Sequence, residues 1–442
     1  MSVQITKTQT KKYNSNKNLI SISHKIELKP NNKAITHFRK AFGCSRLAYN
    51  WGLAKWQENY KNSIKTSAYD LKKKFNSIKK DKFPFVYEVS KYATQQPFLN
   101  LNLAFNKFFR DLKQGIISYP KFKKKNPNFG SYYIGGDQVT IKDEKYLKVP
   151  NFGLVKMREK LRFKGKINSV TIRQKADKFY ASFSLQIDKE EYNRTHKLVK
   201  HNNQIIGIDL GISNFLSLSN GLAIKAPKPL NKLNKKLAKK QRQLSKKQYA
   251  KTKQEALQGV KKSNNYIKQS IKLNKLHTKI SNIRNDFLHK LTSHVIREYD
   301  YIGLEDLNVK RMMKNHKLAK SLSDVSFCEF NRMLEYKANY NNKQIYRVDI
   351  FYPSSKTCSV CGNIKADLKL SDRAYKCDEC GVKIDRDYNA SINLHKFVNK
   401  QIGIVHPKFT PVDLTALLND LAINQIATSK VETGIQQKSY SL

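Results

Sequence analysis

Nowhere does this 442-residue chain hold a run of apolar side chains near the roughly 20 that span a bilayer. Its opening stretch, MSVQITKTQTKKYNSNKN, is polar and lacks the apolar core of a secretory signal. A membrane-spanning role is therefore not expected. Cysteine is scarce: six in all, four of them in one cluster, which fits a reducing compartment and a metal site better than a disulfide framework. Acidic residues are scarcest relative to their opposites. Lys and Arg number 85 against 34 Asp and Glu, a formal charge of +51. A compact protein with that charge repels itself unless a polyanion neutralises it, and nucleic acid is the foremost candidate. A lysine- and asparagine-rich compositional bias is the blander alternative.

The chain is too long for one ordinary core, so two or more domains are expected. Residues 1–18 read as disordered. "LISISHKIEL" alternates Ile20, Ile22 and Ile26 and reads as a strand that Pro30 ends. Ile35, Phe38, Phe42, Tyr49, Leu53, Trp56 and Tyr60 recur at helical steps, as do Phe98, Leu101, Phe105, Phe108 and Leu112. From Tyr146 the period becomes two: "KINSVTIRQ" and "KFYASFSLQID" read as strands around a turn at Lys175–Lys178. A helical block, 31–125, thus sits inside a β domain of residues 19–30 and 126–195, followed by a polar linker, "DKEEYNRTHKLVKHNN".

"QIIGIDLGI" then reads as a short buried strand, and "NFLSLSNG" with "LAIKA" as a hairpin turning on Asn-Gly. Between Pro229 and Asp286 the one acidic residue is Glu255. Leu276, Ile280, Ile283, Phe287 and Leu291 give this helical stretch an apolar face, and its lysines suit either a phosphate backbone or plain solvent. "YDYIGLEDL" and "KQIYRVDI" are further strands, and 399–442 reads as a flexible tail.

Cys358-x2-Cys361 and Cys377-x2-Cys380, with Gly362 and Gly381 after each pair, have the spacing of a four-thiolate zinc site. Four thiolates close the coordination sphere, so one structural Zn²⁺ is expected there. Cys44 and Cys328 lie in apolar helical contexts and read as core residues.

Three carboxylates stand apart from the basic background. Asp209 ends an apolar strand beside Gly207 and Gly211, where a charge is costly without a cation or hydrogen bonds. Glu305 ends another apolar strand, and Asp387 opens the helix "YNASINLHKF". Singly, each could be a cap or a structural pair partner. Together, on strand, strand and helix, they can hold two Mg²⁺ ions about 4 Å apart for phosphodiester hydrolysis. Asp385, one residue from Asp387, is assigned a capping or supporting role.

The ordered set "GIDLGISNF", "YIGLEDL", "SLSDVSFCEFNRMLEYKA", "YPSSKTCSVCG" and "CDECGVKIDRDYNASINL" resembles TnpB, the transposon-encoded, RNA-guided DNA nucleases related to type V CRISPR effectors. "AFGCSRLAYNWGL", "VSKYATQQPFLNLNLAFNKFF", "SYPKFKKK" and "LKVPNFGLVKM" continue the resemblance, which covers about residues 20–395.

The resemblance implies a multidomain α+β protein. A wedge-type β-barrel (19–30 and 126–195) would carry the inserted helical recognition domain (31–125). A RuvC-like RNase H fold (203–354 and 385–398) would carry a zinc-binding target-loading insert (355–384). It implies Asp209, Glu305 and Asp387 as catalytic acids and a guide RNA from the transposon end as partner. That RNA pairs with double-stranded target DNA while the protein reads a short flanking motif. Lys91, Tyr92 and Gln95 match the family's motif-reading helix; a packing helix with polar tips is the alternative. The loop "SYYIGGDQVTI" is the less clearly matched companion. With no second nuclease signature, one site would cut both strands. A cleavage-dead RNA-guided repressor and a strand-joining transposase are the competing functions. A bacterial or archaeal cytosolic location, at the nucleoid, is expected.

Overall fold

A computed structural model describes residues 18–196, 202–247, 263–349, 351–369 and 371–403. The expected disordered N-terminus and C-terminal tail lie almost entirely outside these residues. The described residues fall into two compact units, one within 1–197 and 243–275, the other within 198–242 and 276–442.

The first unit begins with strand β1 (Leu19–Lys29), whose Ile22, His24, Ile26 and Leu28 point inward. Three helices follow. Helix α1 (Asn32–Lys61) is capped by Asn31, whose Oδ1 accepts the N–H of Ala34 at 2.8 Å. Helix α2 (Ala68–Lys82) and helix α3 (Tyr92–Leu112) pack with it around Tyr49, Leu53, Leu71, Phe75, Phe98, Leu101 and Phe105. Trp56 stacks on Phe105 at 4.0 Å. The chain then returns to strands β2 (Phe129–Gly135), β3 (Thr140–Lys142), β4 (Tyr146–Val149), β5 (Gly153–Met157), β6 (Lys166–Lys175) and β7 (Lys178–Asp188). With β1 these form a seven-stranded sheet of order β2-β6-β7-β1-β5-β4-β3, antiparallel throughout. The longest ladder, β1 on β7, runs from Leu19↔Asp188 to Leu28↔Phe179. Its inward side chains, Ile26 against Ala181, Phe183 and Leu185, are almost fully buried.

One correction concerns the polar linker. Its first residues form helix α4 (Lys189–Thr195), because Glu191 accepts the N–H of Lys164 and the Arg194 guanidinium while Tyr192 is buried. The apolar anchor one turn into a charged stretch overrides its composition.

The second unit is built on strands β8 (Ile205–Asp209), β9 (Leu216–Leu218) and β10 (Ala223–Ile224), then helices α5 (Pro229–Ser245) and α6 (Asn264–Glu298). Both helices begin or end in residues that belong to the first unit. Strand β11 (Tyr301–Glu305) is followed by helices α7 (Val309–Met312), α8 (His316–Val325) and α9 (Phe327–Tyr340), then strand β12 (Gln344–Val348). The sheet order is β10-β9-β8-β11-β12: β8 to β10 form an antiparallel meander, and β8, β11 and β12 run parallel. Phe215 lies among Phe287, Phe327 and Phe330 at ring distances of 5.4–5.7 Å in the core. Buried Asp324 on α8 accepts the backbone N–H groups of Leu230 and Asn231 and the Arg284 guanidinium, tying the start of α5 to α6 and α8. Cys44 is buried, but Cys328 is exposed: it falls on the solvent face of α9, opposite the side that buries Phe327 and Phe330.

After β12 come the two-stranded hairpin of β13 (Ala374–Lys376) with β14 (Lys383–Asp385), and helix α10 (Arg386–Ile402). Helix α10 lies directly on the sheet because two strands carry glycine beneath it. Gly207 and Gly303 face each other in the β8–β11 register. A Cβ on Gly207 would come within 2.0 Å of the Ser391 carbonyl, and one on Gly303 within 2.9 Å of the Leu394 carbonyl. No helix among the described residues is long and apolar enough to cross a membrane.

Candidate active site

Parallel pairing sets the position of the first two acids. Ile208 pairs with Leu304, so Asp209 and Glu305, each the next residue, leave adjacent strands at the same level. Their strands are buried along nearly their whole length, as parallel strands covered on both faces are. The third acid arrives from α10. Asp387 is 8% exposed, and a Cβ on Gly211, two residues beyond Asp209, would lie 3.8 Å from its Oδ2. The structure thus brings Asp209, Glu305 and Asp387 to one end of the parallel strands.

Their electrostatics are those of crowded acids. Burial, then the charges of Glu305 and Asp387, push the Asp209 carboxyl well above the usual carboxylate range. Burial also raises Glu305, against a hydrogen bond from the Ser354 hydroxyl, which donates to its Oε1. Asp387 meets cations instead: Arg386 donates to its Oδ1 at 3.1 Å, and Arg373, from the turn entering β13, approaches Oδ2 at 3.9 Å. A carboxyl raised by burial and by neighbouring carboxylates is a ligand that a divalent cation stabilises in its charged form. Among the described residues, only the four cysteines bring three or more potential metal-ligand atoms within 4.8 Å of one another; the three carboxylates stand wider apart.

Asp385 serves the backbone. It is the N-cap of α10, and its Oδ1 accepts the N–H of Tyr388 at 2.9 Å. The same helix turns a buried polar face to the segment joining β12 to the first cysteine pair. Asn389 accepts the N–H of Ser359 at 2.9 Å and donates to the Thr357 carbonyl at 2.7 Å. Asn393 donates to the carbonyls of Ser354 and Thr357 at 2.8 and 2.7 Å. The Asn393 bond holds Ser354, whose hydroxyl donates to the Glu305 carboxylate.

Sequence reasoning does not single out Ser354, Arg373 or Arg386. Arg386 stands beside Asp387, and that adjacency is the one signal that could have drawn it in. Ser354 and Arg373 come from turns whose approach to the acids depends on tertiary packing, and no local pattern marks them.

The four thiols form a cage. Cys358 and Cys380 are 3.6 Å apart at sulfur, and Cys361 and Cys377 3.5 Å. A tetrahedral site with metal–sulfur bonds of about 2.3 Å places sulfurs about 3.8 Å apart, so the cage fits Zn²⁺. The two turns match: the N–H of Cys358 donates to Asn363, and that of Cys377 to Val382. Gly362 and Gly381 take φ of +83° and +68°, where a side chain is strained. N–H donation from Cys380 outweighs burial and draws the Cys377 thiol down to about 6.

In the first unit, Lys91 and Tyr92 open α3, and Lys91 is paired with Asp137 at 2.9 Å. Tyr92 also hydrogen-bonds Asp137, and a Cβ on Gly135 would lie 2.4 Å from its ring. Ser90 donates to Gln138 at 2.6 Å. The start of α3, with half-buried Gln95, therefore packs on the Gly135–Gln138 loop that the sequence matched less clearly.

Comparison with known proteins agrees along the chain. A family profile described as "Probable transposase" matches residues 182–316, one described as "Cas12f1-like, TNB domain" residues 327–394, and a "Helix-turn-helix domain" residues 20–65. A Streptomyces pristinaespiralis protein named "Putative RNA-guided DNA endonuclease" is 29% identical over 381 residues, 84% of this chain and 87% of its own length. InsQ of Escherichia coli (strain K12), named in the same terms, is 28% identical over 387 residues, 84% of this chain and 90% of its own. TnpB-like protein L79 of Acanthamoeba polyphaga mimivirus is 32% identical over 130 residues, 28% of this chain and 24% of its own.

Proposed function

The chain belongs to the TnpB family, and from that premise we propose that it is an RNA-guided DNA endonuclease of a transposon. It cuts double-stranded DNA beside a short flanking motif at one RuvC-like site, with Asp209, Glu305 and Asp387 as the catalytic acids. One observation carries this reading: two acids at equal level on adjacent parallel strands, met by a third from the overlying helix, in a chain of charge +51.

The three carboxylates would hold two Mg²⁺ ions, which supply an activated water and offset negative charge on the phosphate and its leaving oxygen. Each protein group has a part in that work. Ser354 holds the carboxylate of Glu305, and Asn393 holds the Ser354 carbonyl. Asp385 caps α10 so that Asp387 faces the strand ends. Arg386 balances Asp387. Exposed Arg373 can turn from Asp387 toward a DNA phosphate. The four-cysteine cage would bind one structural Zn²⁺, forming a zinc ribbon that carries Arg373 as part of the target-loading insert.

The guide RNA, transcribed from the transposon's own end, would bind chiefly through its phosphates, and base pairing would supply target specificity. The seven-stranded sheet of the first unit would form the wedge-type domain and α1–α3 the recognition domain. There Lys91, Tyr92 and Gln95 read the flanking motif, with Gln95 offering its amide to a base edge and Lys91 its charge to a phosphate.

The test is expression together with the DNA flanking the gene. RNA bound to the purified protein is sequenced, and duplexes matching successive segments of it are supplied with a randomised flank. Cutting in Mg²⁺ but not in EDTA, beside one enriched flank, is expected. Absence of bound RNA together with joined DNA ends would identify a transposase, the other chemistry that RNase H-like folds support.

A further inference from the structure

The loop after β12 leaves from Glu305 and comes back to it. Val348, the last residue of β12, pairs with Glu305 in the parallel register, and Ser354 donates its hydroxyl to the Glu305 carboxylate. Between them Phe351 is 90% exposed, more than any other large hydrophobic side chain among the described residues. Three residues of chain span at most about 10 Å. The Cα of Phe351 is therefore within that reach of both residues that touch the catalytic glutamate.

Its backbone is held. The Phe351 N–H donates to the Asp349 carboxylate at 2.8 Å, and the Tyr352 N–H to the Asp349 carbonyl at 3.0 Å. The Tyr352 ring packs on Phe397 of α10 at 5.7 Å, and the Ser354 N–H donates to the Tyr352 carbonyl at 2.8 Å. Hydrogen bonds and packing thus hold Asp349 and Tyr352, while the Phe351 ring stands in water. That is an unfavourable place for an aromatic ring unless something else covers it.

We propose that Phe351 is a stacking residue for an unpaired base of the DNA strand entering the acid site. The cations that the three carboxylates would hold attract the phosphate, and a neutral hold outside them would orient the strand. A ring face supplies one, and it accepts any base. This suits a cut whose position is set by pairing elsewhere rather than by sequence at the scissile bond. A duplex hides its base faces, so the occupant is single-stranded, and the charge of +51 favours nucleic acid over an apolar protein surface.

The proposal rests on the nuclease reading above, and two measurements separate their fates. The first is independent of cleavage. Full-length protein, purified with its bound RNA, is titrated in Ca²⁺ with single-stranded oligonucleotides carrying one 2-aminopurine. Quenching by the parent and by Phe351→Trp, with most of it lost in Phe351→Ala, is expected. Equal quenching by all three, or by none, overturns the proposal. The second is single-turnover cleavage of a matched duplex carrying one abasic site, scanned across the cut. Phe351→Ala should slow cutting about tenfold, and Phe351→Trp should restore it. An abasic site at the stacked position should cost the parent the same factor and cost Phe351→Ala nothing more, because the two losses are one contact. Additive losses at every position, or cutting at the parental rate by Phe351→Ala, overturn it. A parent that quenches yet never cuts would refute the nuclease reading and leave the stacking site intact. Zinc content and melting temperature should not change, since the ring buries nothing.

Discussion

Asp385 accepts the backbone N–H of Tyr388 at 2.9 Å. This single bond separates two aspartates that the sequence sets one residue apart: the first closes a helix end, and the second is left for the strand ends. Asp385→Ala should lower stability by about 1 kcal/mol, the usual worth of an N-cap, and leave cutting close to the parent. Chemical denaturation followed by circular dichroism measures the loss.

Gly207 should tolerate no side chain. A methyl group there would meet the Ser391 carbonyl at 2.0 Å and the His395 N–H at 2.5 Å, both of them helix backbone. Gly207→Ala should push α10 off the sheet and carry Asp387 with it. A loss of about 1–3 kcal/mol, the usual cost of overpacking, is expected in denaturant titrations, together with cleavage reduced far beyond what that loss explains. The same change at Gly43, inside α1, where a Cβ meets nothing within 4 Å, is the control: it should cut like the parent and gain up to about 1 kcal/mol, as alanine does over glycine in a helix.

Asp209 makes stability depend on pH and metal. Its folded carboxyl titrates well above the ordinary value of about 3.9. Between those two values the folded state binds more protons than the unfolded one, so stability falls as pH rises through the window, and the penalty is complete above the folded value. At pH 7.5 in EDTA, Asp209→Asn should therefore melt a few degrees above the parent, at about 2–4 °C per kcal/mol for a domain of this size. Mg²⁺ should raise the parent and not the variant. A parent indifferent to Mg²⁺, with Asp209→Asn melting lower, would show that the acids are not a cation site.

The cysteine cage should hold one zinc. Cys358→Ser and Cys377→Ser should each lose one equivalent by metal analysis and loosen the hairpin of β13 and β14, because metal binding and folding of so small a unit are coupled. Full zinc in either variant contradicts the four-thiolate site.

What could be read from the chain follows from how local each cause is. Helix α1 shows in its apolar period because one face is buried against α2 and α3, and β7 shows because Phe179, Ala181, Phe183 and Leu185 alternate in a half-buried ladder. Asp387 was separable from Asp385 because a cap is a local device. The short strands β2 to β5 escaped detail: residues such as Tyr132 and Leu147 gain their burial from partners far along the chain. Ser354 and Arg373 escaped for the same reason, as each meets its acid through a turn fixed by α10 or the cysteine cage. The exposure of Cys328 turns on which side of α9 faces the core, and one cysteine beside Phe327 does not reveal that.

The central claim is that Asp209, Glu305 and Asp387 form the catalytic site and Asp385 does not. Single-turnover cleavage of a matched duplex by RNA-loaded protein, with binding checked separately in Ca²⁺, tests it directly. Alanine at Asp209, Glu305 or Asp387 should abolish Mg²⁺-dependent cutting and leave guide and target binding nearly intact, while alanine at Asp385 still cuts. Cutting lost with Asp385→Ala and kept with Asp387→Ala, or kept in all four variants, would contradict the account.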